Sequence, residues 1–270
     1  MIALTHVRRA AVIPSTFRGT RQTRRELALL KAHRDGVMAL KSSQWKGAKG
    51  PLRTETYGKC AYCDAPAASV AHCDVEHYRP KSVYWWLALC YDNYLYACQI
   101  CNQVYKGDRF PVAGPPLAGP AISGLSNASL QTLVGTFAPD PLDRAALAIH
   151  LARWSEEHPL GVNPYLIDPE PLFAYAADPV LKEVTILPDP AASAANQQMA
   201  QESITLYGLN REELRRQRYI TYEILALAHL GLLEHPGNVR LQAILERHVA
   251  ADFAFSGMCR YFVRRVWQVG

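Results

Sequence analysis

The succession of apolar and polar positions divides the chain into stretches of different character. Near the front, Leu27, Leu30, Val37, Met38 and Leu40 recur close to helical spacing. They follow Thr23-Arg24-Arg25-Glu26, a pattern in which a threonine hydroxyl and a glutamate can satisfy the free amide donors of a helix start. The pattern predicts a helix of roughly twenty residues. From Pro51 to Pro111 the chain is dense in Tyr, Trp and Cys and reads as short irregular pieces of a small α+β unit. Gly114-Pro115-Pro116 through Gly119-Pro120, and the stretch on to Ser129, reads as a linker. In Asn163-Pro164-Tyr165-Leu166-Ile167-Asp168-Pro169-Glu170-Pro171 the prolines remove amide donors and push their predecessors to extended geometry, which rules out a long helix. Ala191 to Tyr207 reads helical, Gly208 stops it, and Asn210 with Glu213 restarts a helix to about Gly231. Pro236-Gly237 then turns the chain into a final helical region over about Asn238 to Trp267. The expected organisation is an arm and helix over 1–50, a cysteine-bearing module over 51–113, a linker over 114–130 and a mainly helical domain over 131–270. The fold class is α+β.

Composition narrows the picture. The chain has 270 residues, 49% of them hydrophobic, enough for a substantial core. It has no apolar run long enough to span a bilayer and no leader-like start, so no membrane is expected and the cytoplasm is the expected compartment. The net charge of +5 hides an asymmetry: residues 1–50 hold eleven Lys/Arg against Glu26 and Asp35, a local +9, and the rest sums to −4. An acid-poor basic arm suits phosphate contacts, but a solvated helix face or an organellar transit peptide has the same composition.

The most specific chemistry lies in the cysteines. Cys60-Ala61-Tyr62-Cys63 and Cys98-Gln99-Ile100-Cys101 are two C-x₂-C knuckles. Two such knuckles complete a tetrahedral, closed zinc site that can contribute folding energy to a small segment. His72 and Cys73 are alternative ligands, and Cys90 and Cys259 read as small buried hydrophobes. Between the knuckles sits Asp74-Val75-Glu76-His77-Tyr78-Arg79-Pro80-Lys81-Ser82, and after the second come Asn102 and Lys106. A neutral imidazole can take a proton from water, while a carboxylate and an amide oxygen can hold a hard divalent cation such as Mg²⁺ or Mn²⁺. Asn93 is either a residue that orients His77 or a turn former. Lys106, Arg79 and Lys81 are candidate phosphate contacts. The module's aromatic residues read as packing before base stacking.

Glu76-His77-x-x-Pro80-Lys81-Ser82, Asp92-Asn93-Tyr94-Leu95, Cys98-x-x-Cys101-Asn102 and Lys106-Gly107-Asp108-Arg109-Phe110-Pro111 resemble the HNH endonucleases of the ββα-metal class. Gly161 to Glu170 and Ile204 to Leu214, with Arg218, resemble the C-terminal half of the HNH nuclease subunits of Septu- and retron-type antiphage systems. The motifs reach from about residue 57 to 220. The resemblance implies His77 as general base, Glu76 and Asn102 as ligands of a catalytic Mg²⁺ or Mn²⁺, and Asn93 as the residue positioning the histidine. It also implies structural zinc on Cys60, Cys63, Cys98 and Cys101, DNA as substrate, and an ATPase as protein partner. Many HNH proteins carry aspartate where Glu76 stands, which leaves Asp74 as an alternative ligand, and the basic N-terminus has no match in that pattern. Two other readings stay open at this level: a non-catalytic zinc-stapled nucleic-acid-binding module and an RNA-cleaving nuclease.

Overall fold

A computed structural model describes residues 1–67 and 73–269. His72, the alternative zinc ligand, therefore lies outside the described residues. Helix α1 spans Gly19–Arg34, starting four residues ahead of Thr23. The expected capping pattern does not form, because the Thr23 hydroxyl donates to the Thr20 carbonyl instead. The helix start is satisfied from a distance: the Gly19 amide donates to Asp140 Oδ2 at 2.6 Å, placing an anion where the helix dipole favours one. Gly36, in the left-handed region at φ +68°, follows the helix end.

Two single 3₁₀ turns, Ser42–Gln44 and Lys46–Ala48, lead into α2, Lys49–Glu55. The first cysteine knuckle comes next, then strands β1, Cys73–His77, and β2, Tyr94–Cys98, paired antiparallel with Cys73 opposite Cys98 and His77 opposite Tyr94. Every residue of β2 is buried, whereas β1 has Asp74 partly exposed. A π-helical turn over Ile100–Lys106 completes a strand–strand–helix unit.

The segment read as a linker is largely exposed but anchored at Ile122 and Leu130. Its end enters α3, Asn127–Leu133, capped by Ser126, and Ile122 and Leu130 bury against Leu29, Leu30, Trp85 and Trp86. At Gly119 a Cβ would lie 2.6 Å from the Trp86 ring, so no larger residue fits. Helix α4, Arg144–Ser155, is capped by the Asp143 carboxylate.

The C-terminal half contains an element not anticipated from the pattern, the antiparallel hairpin β3, Phe173–Asp178, and β4, Glu183–Pro188. It packs under α5, Ala194–Leu206, and α6, Glu212–Glu234, both close to their expected bounds. The final helical region is divided into α7, Val239–Val249, and α8, Ser256–Arg260, followed by a π-helical turn over Tyr261–Val266.

The N-terminal residues do not form a free arm. Met1, Ile2 and Leu4 are buried, and the Leu4 amide donates to the Pro164 carbonyl at 2.8 Å. One continuous core joins them to the cysteine module and the C-terminal helices. Tyr62 stacks on Tyr207 at 3.8 Å, and the Tyr78 hydroxyl donates to the Gly161 carbonyl at 2.6 Å. The strand–strand–helix unit, too small for an apolar core of its own, thus borrows one from residues 161–263.

Candidate functional site

The sulfur atoms of Cys60, Cys63, Cys98 and Cys101 lie within 4.8 Å of one another, and all four residues are buried. A tight turn shapes the first knuckle, with the Asp64 amide on the Cys60 carbonyl at 2.9 Å. The strand ladder then brings the second knuckle to it. The Cys98 amide donates to Cys60 Sγ at 3.3 Å and the Arg211 guanidinium to Cys101 Sγ at 3.4 Å, the kind of donors that support sulfur ligands. Burial pushes the Cys60 thiol up while hydrogen bonding from Cys101 holds Cys98 down. Such a cluster can hold a metal ion such as zinc. Cys73 is buried nearby and stands outside this set. Arg211 lies in the Ile204 to Leu214 stretch that carries the resemblance, which assigns it no role of its own.

Along β1, from Asp74 to His77, an open cleft of about 530 Å³ is lined by residues including Asp74, Glu76, His77, Lys81 and Asn102. Three expected site residues therefore meet: Glu76 and His77 from the strand end, and Asn102 from the residue directly after the cysteine ligand position Cys101. His77 Nε2 is 3.0 Å from the Ala88 carbonyl oxygen. A carbonyl only accepts, so Nε2 carries the proton and Nδ1 keeps its lone pair, with no hydrogen-bond partner among the described residues. The ring is held edge-to-face by Trp45 at 4.8 Å and Tyr94 at 5.1 Å. Burial lowers its pKa to about 3 against the opposing Ala88 bond, so the imidazole is neutral at pH 7.

Glu76 is buried, and burial raises its pKa against the pull of Lys106. Lys106 Nζ lies 2.6 Å from Glu76 Oε1, yet that oxygen receives no well-aligned hydrogen bond, so the contact is chiefly electrostatic. The same ammonium donates to the His77 carbonyl at 3.0 Å and is 1% exposed. Lys106 therefore ties the strand end to the π-helical turn. The underbonded Glu76 oxygen and the half-buried Asn102 side chain, which has no hydrogen bond among the described residues, are oxygen donors of the type a hard divalent cation takes. Asp74, the alternative ligand, accepts from Gln103 Nε2 at 2.7 Å.

Asn93 does not touch the imidazole. Its Oδ1 accepts from the Arg79 amide at 2.8 Å and its Nδ2 donates to the Arg79 carbonyl at 3.0 Å and the Leu87 carbonyl at 3.4 Å. It clamps the chain just beyond His77 to the loop that presents Ala88. Arg79 departs from the expected phosphate contact. Its guanidinium is 2% exposed, bonded to Glu157 Oε2 at 2.7 Å and the Trp154 carbonyl at 2.9 Å, and absent from the cleft lining. Tyr78 and Arg79 both turn into the core, and the chain returns to the cleft at Pro80 and Lys81. Lys81 does line the cleft, its ammonium 5.6 Å from the centre of the Trp45 ring. The far wall comes from Ser42, Trp45, Lys46 and Lys49. None was singled out from sequence; their only signal was the regional excess of positive charge.

Over 77 residues the chain is 32% identical to the Septu protein PtuB of Bacillus mycoides (strain KBAB4). The match covers 24% of this chain and 26% of the relative, so the chain spans about a quarter of that relative's length. No family model matches the chain.

Proposed function

We propose that the protein is a metal-dependent HNH endonuclease that hydrolyses DNA phosphodiester bonds. The observation that carries this reading is the meeting of a neutral His77, its Nδ1 unpartnered, with Glu76 and Asn102 in one open cleft. Lys46, Lys49 and Lys81 line the same cleft and suit a polyanion. His77 Nδ1 accepts a proton from water as the water oxygen bonds to phosphorus and the P–O3′ bond breaks, and the leaving 3′-oxygen takes a proton from solvent, giving a 5′-phosphate and a 3′-hydroxyl. Glu76 and Asn102 would hold the catalytic Mg²⁺ or Mn²⁺, which would supply charge stabilisation at the phosphate. Asn93 fixes the backbone that carries the imidazole, and the Ala88 carbonyl sets its tautomer. Zinc on Cys60, Cys63, Cys98 and Cys101 would anchor the hairpin and, through Cys101, the position of Asn102.

The stretch shared with the Septu protein PtuB supports a role in defence against phage, with an ATPase as the working partner. The test is incubation of the purified protein, alone and with a candidate ATPase subunit, with plasmid DNA and with RNA, in Mg²⁺, Mn²⁺ or EDTA. Cleavage of DNA is expected only with added metal, and His77→Ala should abolish it while zinc content stays at the parent value. A His77→Ala protein that cuts at the parent rate removes the base assignment, and cleavage confined to RNA removes the assigned substrate.

A further inference from the structure

Residues 1–50 spend most of their guanidinium groups on structure. Arg8 bonds the Asp92 carboxylate and the Pro141 carbonyl, Arg18 the carbonyls of Ile13 and Ala10, Arg25 those of Thr16 and Gln44, and Arg34 the Asp35 carboxylate and the Leu125 carbonyl. The lysines at the end of this segment behave differently. Lys46 is exposed and Lys49 half-buried, both line the cleft, and neither ammonium makes a salt bridge or hydrogen bond among the described residues. Lys81, across the cleft, is also without either. Of the cleft's acids, Glu76 faces Lys106 rather than these lysines and Asp74 accepts from Gln103, which leaves Asp108.

The wall carrying these lysines is held in place. The Gln44 side chain caps the Lys41 amide at 2.7 Å, Arg25 bonds the Gln44 carbonyl, and Ala48 is fully buried between the two lysines. Trp45 links it to both the chemistry and the opposite lip, one ring edge-to-face with His77 at 4.8 Å and the Lys81 ammonium 5.6 Å from its centre. The lysine positions are thereby set relative to the imidazole by packed side chains rather than by a loose tail.

We infer that the segment Ser42–Lys49 is a clamp for the phosphodiester backbone, with Lys46 and Lys49 contacting phosphates beside the bond that His77 serves. The inference rests on the nuclease reading above and names what the basic N-terminal region contributes to it. Ammonium groups without protein partners are hydrated point charges suited to phosphate, and each phosphate they neutralise releases counterions. The contacts carry no base information, so the clamp positions substrate without setting a preferred sequence.

The test measures salt-dependent binding of a fluorescent DNA duplex by the full chain carrying His77→Ala, which prevents turnover. The slope of log K against log salt is compared with that of the same protein bearing Lys46→Gln and Lys49→Gln. Two lost phosphate contacts should reduce the slope by roughly 1.8, at about 0.9 per contact, and KM for cleavage in the His77 background should rise. Lys182→Gln, exposed at the β3–β4 turn and outside the cleft, should leave the slope unchanged. A slope indifferent to the double substitution in a protein that binds and cuts DNA overturns the clamp alone. An equal reduction from Lys182→Gln also overturns it, by reassigning the effect to overall charge. A parent that neither binds nor cuts nucleic acid overturns both the clamp and the nuclease reading.

Discussion

Replacing Arg79 by methionine removes a charge that sequence alone assigns to substrate and that the tertiary structure assigns to the core. The guanidinium and the Glu157 carboxylate are 2% and 0% exposed and meet at 2.7 Å. The carboxylate also accepts from the Tyr84 hydroxyl at 2.6 Å and from the Leu117 amide at 2.9 Å. The arginine in addition donates to the Trp154 carbonyl and lies over the Phe110 and Trp154 rings at 5.2 and 5.3 Å. Removing one partner of such a buried pair leaves an uncompensated charge and costs about 3–5 kcal/mol. For a chain of this size that corresponds to a fall in Tm of roughly 6–20 °C, at about 2–4 °C per kcal/mol. Glu157→Gln should destabilise in the same direction although Glu157 is absent from the cleft lining. The double variant should lose less than the sum of the singles, because each single leaves the other group stranded. Scanning calorimetry of the parent, both singles and the double measures this coupling. An Arg79→Met protein that melts with the parent but binds DNA more weakly refutes the core assignment and restores the phosphate contact.

Three further outcomes follow from the site. Because burial holds the His77 pKa near 3 in the folded chain against an ordinary 6.5, the unfolded state binds a proton that the folded state refuses as pH falls below about 6.5. Stability should therefore drop by up to about 1.4 kcal/mol per pH unit between roughly pH 6.5 and 3, and a His77→Asn protein in urea titrations across that range should drop less steeply. Asn93→Ala frees the Arg79 peptide and should lower stability by about 1–3 kcal/mol and reduce kcat more than binding, which single-turnover assays separate; an unaltered kcat would remove its positioning role. Cys60→Ser should lower the bound zinc measured by plasma mass spectrometry and increase proteolysis of the module; a fully zinc-loaded, protease-resistant variant would take Cys60 off the ligand list.

Signals confined to a few neighbouring residues were legible before any fold was known. Each C-x₂-C knuckle is a single turn, so its spacing alone aims two sulfurs at one point, and Glu76-His77 between the knuckles lines the cleft. Helices α5 and α6 were legible because Gly208, at φ +60° with the Tyr105 ring 2.4 Å from where a Cβ would stand, admits no other residue and must break the helix. The β3–β4 hairpin was not legible: Phe173-Ala-Tyr-Ala-Ala-Asp lacks clean alternation and gains its stability from α5 and α6 above it.

By itself, then, the sequence determined the ligand chemistry and the local turns, because these depend on residue type and short-range geometry. The tertiary structure alone decided which charges are spent. Arg79 and Lys81 stand two positions apart in the same basic run, yet one pairs with Glu157 seventy-eight residues away and the other faces the cleft. Whether a cation meets solvent or a buried carboxylate depends on which distant segment packs against it, and no short-range pattern of residues carries that information.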